Sequence, residues 1–385
     1  MESFNHQTRL GDVFLKSLME RGEDTKGMTA FVELIDSIGK DKVPVTDKIP
    51  IGLEKSKMYG LQNVIMEMDM AYHGIDYKKF NLMQIKELLL QRLHWVKDNL
   101  GENSKTFFNI RDFYDAMEKC PNRVLKFVRY MSSLPENIRP FALLVEEFGK
   151  NLPERVGVWV QAVRNEMTKG GWNDGLFLIH VHEQWGMADI TQLECLAKGC
   201  NGIWTGVPQE GAAMGCAGSA ITILNLIRLG NKRVQDRFNC TYLREAAINI
   251  TKVTTGKSPH PKQPVYGDRS LDVVFGLGGV GDDGFDLTTF VGMKNECRIT
   301  TLASPEMFLS KLKEYFGKNE QFDLDLAKKM KEKMLENLRN GRKEEANSCV
   351  GLAMLFDQAG GQITDEISRV IEKVPFALHF YPNGV

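Results

Sequence analysis

Charge of one sign is what this sequence lacks first: 49 lysines and arginines stand against 50 acids, a formal net charge of -1 over 385 residues. No overall basic field is present to hold nucleic acid or an anionic membrane, so a small molecule is the expected partner. Cysteine is sparse and odd in number, seven in all, at Cys120, Cys195, Cys200, Cys216, Cys240, Cys297 and Cys349, with no Cys-x-x-Cys spacing. That argues against disulfide scaffolds and zinc ribbons and suits a reducing compartment. The first twenty residues mix Glu2, Arg9, Asp12 and Lys16 with apolar positions and hold no long apolar run. Neither a secretory signal nor a membrane helix is legible there, and a soluble, cytoplasmic protein is the expectation. Internal repeats and low-complexity tracts are also lacking.

What is present is a 43% hydrophobic content, enough for a full core in a chain longer than the ~250 residues of one (β/α) barrel. Its most informative stretch is Leu176–Gly186, Leu-Phe-Leu-Ile-His-Val-His-Glu-Gln-Trp-Gly. Successive side chains of a strand point to opposite faces, so His180 and His182 point the same way and are placed to grip one metal ion. The competing interpretation is a pair of core histidines hydrogen-bonded to their neighbours. Position favours the metal: a helical pattern over Met187–Lys198 and a strand-like Cys200–Thr205 follow. That strand, helix, strand unit is typical of a parallel α/β barrel, whose chemistry sits at the strands' C-terminal ends. Neutral imidazole is a favoured ligand for several divalent metals.

Along the chain, helical periodicity in Val13–Met19 and Met28–Ile38 predicts a helical lead-in over 1–45. Leu61–Ala71 reads as a strand with Glu67 and Asp69 on one face, although Met and Glu also suit helices. Asn81–Asn99 is a strong amphipathic helix. Thr106–Ile110 is a strand ending at Arg111-Asp112, Val124–Met131 a helix, and Pro140–Val145 a strand ending at Glu146. Pro153 fits the first turn of a helix over Glu154–Met167. Strand and helix alternate regularly from 106 to 230, and the expectation is a (β/α)8 TIM barrel over 46–255 with a mainly helical C-terminal extension over 256–385. The glycines of Ser270–Gly284 lack the lysine and the strand-to-helix context of a nucleotide loop. Asp357–Glu366 does not place its oxygens as a calcium loop requires. Amphipathic helices outside a barrel need a surface to bury against, so a homodimer is expected.

Three consecutive pieces resemble the HMG-CoA-lyase-like superfamily of metal-dependent TIM barrels, which includes 2-isopropylmalate and homocitrate synthases, HMG-CoA lyase and the carboxyltransferase domain of pyruvate carboxylase. Leu144-Val145-Glu146-Glu147-Phe148-Gly149 with Pro153-Glu154 is similar to that family's Asp-Thr-x-Gly strand end. His180-Val181-His182-Glu183 resembles its His-x-His metal strand. Gly206 to Ser219, through Gly211 and Gly215-Cys216-Ala217-Gly218, resembles its glycine-rich loop. A fourth, Ser258–Gly267 with Phe290-Val291-Gly292 through Leu312, is similar to the extension of the synthase branch. There are departures. The family's first-strand Arg-Asp-Gly is not found in residues 1–105, Ser219 stands where an Asn ligand is usual, and Gly276–Gly279 lacks the synthases' histidine.

The resemblance implies a divalent metal (Mg, Mn or Zn) holding a 2-oxo acid, with acyl-CoA as a possible co-substrate in a Claisen-type condensation. A lyase reaction and a degenerate, non-catalytic barrel are the alternatives. His180 and His182 are then metal ligands, joined by Glu146, Asp69 or Ser219, with Glu67 as a substitute. Arg111 is placed to clamp a carboxylate, because its planar fork matches one bidentately, unless it pairs with Asp112 in solvent. Asp112, Glu183, Glu210 and Cys216 complete the candidate catalytic set; Cys216 is either a general acid or a buried packing cysteine. Trp172 and Trp185 are pocket walls or core.

Overall fold

A computed structural model describes residues 3–5, 9–24, 27–211, 214–270, 272–273, 291–292, 296–342 and 346–374. The chain divides into two compact units, Met1–Val234 and Gln235–Val385. In the first, seven strands form one sheet in chain order: β1 (Ser3–Asn5), β2 (Thr29–Glu33), β3 (Asn63–Asp69), β4 (Thr106–Arg111), β5 (Ala142–Glu147), β6 (Leu176–Val181) and β7 (Gly202–Ile203). Every neighbouring pair is parallel. Between them run α1 (Arg9–Glu20), α2 (Ile51–Met58), α3 (Leu82–Leu100), α4 (Phe113–Lys119), α5 (Pro121–Ser132), α6 (Pro153–Lys169) and α7 (Ala188–Ala197); α8 (Ser219–Arg228) follows β7.

A strand order that never reverses keeps every helical crossover on one side of the sheet and curls it. The curl is measurable. Phe31 on β2 and Trp204, one residue past β7, would lie about 24 Å apart in a flat sheet with its ~4.8 Å strand spacing. Their ring centroids are 5.0 Å apart. Interior positions alternate along each strand, and Ile65, Phe107, Ala142 and Leu144 pack there with Phe31, Leu176, Leu178 and Trp204. The opposite face is buried under the helices in one cluster with Met66, Phe108, Val145, Ile179 and Phe127.

The helices start where local chemistry predicts. Asn81 accepts from the backbone of Met83 and Gln84 while Gln84 returns a bond to Asn81, a complete capping box for α3. Pro153 opens α6 at a position whose N–H has no partner in any helix.

The expected helical lead-in over 1–45 holds in part: α1 covers the helix expected over Val13–Met19, but the Met28–Ile38 stretch carries β2 and β1 precedes α1. From Ala30 to Glu33 burial alternates as a strand's does, and parallel pairing with β3 overrides the helical spacing of the apolar residues.

The second unit is helical, with α9 (Lys232–Arg237) spanning the division and then α10 (Cys240–Thr255), α11 (Pro305–Phe316), α12 (Leu324–Arg339), α13 (Cys349–Gln358) and α14 (Asp365–Glu372). Phe308, Met330, Leu352 and Phe356 centre its own core. A short pair, β8 (Asp272–Val273) and β9 (Glu296–Cys297), is also parallel. Most of the glycine-rich Ser270–Gly284 lies outside the described residues. No described helix is long and apolar enough to cross a membrane.

Candidate metal centre

Followed toward their C-terminal ends, the interior positions of the strands change from apolar to polar together. Phe31 gives way to Glu33, Ile65 to Glu67, Phe107 to Asn109 and Arg111, Leu144 to Glu146, and Leu178 to His180 and His182. Parallel register sets these residues side by side: Glu33 faces Glu67, Glu67 faces Asn109, and Glu146 faces His180. One hydrogen-bonded chain crosses the mouth. Arg111 Nη1 donates to Glu33 (2.6 Å) and Glu67 (2.9 Å). Asn109 Nδ2 donates to Glu67 (3.2 Å) and Glu146 (3.1 Å), and His182 Nε2 meets Glu146 Oε1 at 3.0 Å.

At the end of that chain His180, His182 and Cys216, all buried, bring one ligand atom each to within 4.8 Å of one another. His180 Nδ1 is 2.8 Å from the carbonyl oxygen of Trp204, which accepts only, so that nitrogen carries a proton and Nε2 is left facing Cys216 Sγ at 3.6 Å. His182 donates through Nε2 to Glu146, which leaves Nδ1 facing Cys216 Sγ at 3.9 Å. The rings are wedged in place: Phe148 stacks on His182 at 4.9 Å and Trp204 lies 4.5 Å from His180. Orienting the far nitrogen through a carboxylate or a carbonyl is how metal-binding histidines are held.

Burial alone would raise the Cys216 thiol, but hydrogen bonds and charge from the two imidazoles outweigh it and bring it down to about 6. His182 is pushed up to about 10, first by its bond with Cys216 and then by Glu146, against burial. Both shifts favour the charged forms of a thiolate beside imidazoles, the kind of negative donor a cation would meet there. The donor set fits one. Tetrahedral zinc with ordinary Zn–N and Zn–S lengths has sulfur–nitrogen edges of about 3.6 Å, close to the two distances here. Two imidazoles and a thiolate favour zinc or a softer metal over magnesium.

The other expected residues are placed differently. Glu146 touches His182 and supports it; hydrogen bonds and charge from both histidines and Asn109 hold its carboxyl below the usual range despite burial. Arg111 turns inward to two acids and does not pair with Asp112. Asp112 has a left-handed backbone (φ 50°, ψ 44°), a strained conformation for a residue with a side chain, and burial followed by the charges of Asp69 and Glu146 raises its carboxyl. Asp69 accepts from Ala71 N (2.7 Å). Its carboxyl is raised mainly by burial. Glu183 accepts from the backbone of Gly186 and Ala188, so it braces the turn into α7. Glu210 is half-buried in the loop after β7, and among the described residues it makes no hydrogen bond to the histidines. Ser219 opens α8, its N–H bonded to Gly206 O (2.9 Å). Trp172 is buried in the core and Trp185 is exposed. Beside the chain of polar groups lies a cavity of about 410 Å³ lined by Glu33, Asp36, Glu67, Asp69, Tyr72 and Arg111.

Glu33, Asn109 and the carbonyl of Trp204 are the functional groups that sequence reasoning missed. Two had a signal: Asn109 precedes Arg111 by two in an apolar strand, and Glu33 follows Phe31 by two once β2 is read as a strand.

No family model matches the chain, and no curated protein matches it. Among solved structures it is similar to hydroxymethylglutaryl-CoA lyase from Pseudomonas aeruginosa, 14% identical with a TM-score of 0.43, over 62% of this chain and 74% of that one. It is also similar to the carboxyl transferase domain of pyruvate carboxylase from Rhizobium etli, 12% identical with a TM-score of 0.43, over 86% of this chain and 51% of that one.

Proposed function

We propose that this protein is a metal-dependent enzyme that makes or breaks a carbon–carbon bond beside the carbonyl of a small 2-oxo acid. The observation that carries the proposal is the convergence of His180 Nε2, His182 Nδ1 and Cys216 Sγ at the mouth of the curled sheet, with the far nitrogen of each imidazole already engaged. The choice of reaction is supported by the motif resemblance of Leu144–Gly149, His180–Glu183 and Gly206–Ser219. A divalent ion held there would stabilise the negative charge that develops on the carbonyl oxygen. The chain's own groups do the rest. Trp204 O and Glu146 orient the imidazoles, Phe148 and Trp204 wedge them, and Asn109 ties Glu146 to the Arg111 cluster. Arg111 holds Glu33 and Glu67 through Nη1 and lines the cavity beside them.

Within this class, condensation with an acyl-CoA is the finer proposal, supported by the resemblance of residues 258–312 to the synthase extension; cleavage is the same chemistry reversed. A second reading, a barrel that binds without turnover, is favoured by one observation, the absence of a first-strand Arg-Asp-Gly. Proton exchange separates the two. Metal-loaded protein in heavy water is expected to exchange either the C3 protons of a 2-oxo acid, where that acid is the nucleophile, or the acyl C2 protons of an acyl-CoA supplied with it, where the 2-oxo acid is the electrophile, and His182→Ala is expected to abolish the exchange. Metal binding without exchange would support the binding barrel and contradict the enzyme.

A further inference from the structure

The loop between β7 and α8 must deliver Cys216 to two histidines that β6 has already fixed, and one carboxylate outside the site spans both of its legs. Asp189, the second residue of α7, accepts through Oδ1 from Gly218 N (3.0 Å) and Thr222 Oγ1 (3.5 Å) and through Oδ2 from Gln209 Nε2 (2.9 Å). Gln209 lies on the outgoing leg and Gly218 on the returning one, two residues past Cys216. The legs also meet directly, in a bridge between Gly206 and Gly218, and the loop lies against β6 through a bridge between His182 and Cys216. Packing at the turn is close enough that a Cβ on Gly215, whose φ is +91°, would run into Gln209 O. An acid in the first turn of a helix is most simply explained by the helix's own N–H groups. The hydrogen-bond partners of Asp189 described above are instead on or beside the loop.

We infer that Asp189 is a positioning residue of the metal centre, latching the two legs of the 206–218 loop so that Cys216 Sγ meets His180 and His182. The inference rests on the metal reading proposed above. Groups that hold metal ligands in place without touching the metal set ligand geometry and typically carry 10–100-fold of metal affinity.

Cobalt(II) alone is the probe, because a thiolate-to-cobalt charge-transfer band reports Cys216 separately from the imidazoles. Wild type is expected to show that band. Asp189→Asn keeps an acceptor for Gly218 N–H but turns an NH2 group toward that of Gln209. It is expected to bind cobalt about tenfold more weakly and to lose most of the thiolate band per bound ion while keeping its ligand-field bands. The reciprocal D189N/Q209E pair restores a donor facing an acceptor and is expected to regain the band. A merely structural role would lower thermal stability and leave the band per bound cobalt unchanged. Wild-type band and affinity in Asp189→Asn would overturn the latch, as would a double variant no better than the single one. Wild type without any thiolate band would overturn the metal reading instead, and the latch with it.

Discussion

Each imidazole at the mouth has one nitrogen that is free to change partners and one that is not. Glu146 fixes His182 through Nε2, and Trp204 O fixes His180 through Nδ1. Removing the carboxylate should therefore act on metal binding without touching a ligand. Glu146→Ala is expected to weaken zinc affinity by about 10–100-fold in a competition titration with a chelating dye, and unchanged affinity would contradict the assignment. Glu67 gives a prediction in pH. Burial, reinforced by Glu33 and Glu146 and opposed by Arg111, raises its carboxyl from 4.5 to about 7. The folded state then holds this proton more tightly than the unfolded chain, so stability falls as pH rises from about 4.5 through 7. Glu67→Gln is expected to flatten that slope, which is worth about 1–3 kcal/mol, in denaturant titrations across the range. An unchanged slope would contradict it. The histidine pair was legible in the sequence because alternation in a strand puts both rings on one face. Cys216 was legible only as a candidate acid, since nothing local announces that a loop 34 residues after His182 folds back onto it.

Among elements, the strands that carry the site were read well where their apolar runs were continuous, as in β4, β5 and β6. β2 was misread because Phe31, Val32, Leu34 and Ile35 also satisfy a helical period, and only pairing with β3 decides between the two. With β2 went Glu33, one of the acids that hold Arg111. Loop geometry was likewise invisible: Gly215 is needed for its positive φ and for its close approach to Gln209 O. Gly215→Ala is expected to weaken metal binding and to leave helix content by circular dichroism unchanged; wild-type affinity would show that the turn tolerates a side chain. The α3 cap offers a control, since its capping bonds stay within residues 81–84 and reach none of His180, His182 and Cys216. Asn81→Ala is expected to cost about 1 kcal/mol in thermal unfolding and nothing in metal affinity.

For the molecule as a whole, the fold class was legible and the polar layer was not. Strand and helix alternate visibly along the sequence, but which strand ends converge depends on the curl that brings Phe31 to Trp204. Near-zero net charge supplies no long-range field of one sign to steer a charged partner toward the mouth. Association of two chains through the C-terminal helices remains a proposal, and sedimentation at the monomer mass would remove it. The central claim is that the polar layer ends in a metal centre, and elemental analysis of protein purified without added metal tests it most directly. The account predicts about one tightly held divalent ion per chain, zinc foremost, lost from variants with both His182 and Cys216 replaced by alanine. Protein that retains no ion and takes none up from a zinc-buffered solution would contradict it.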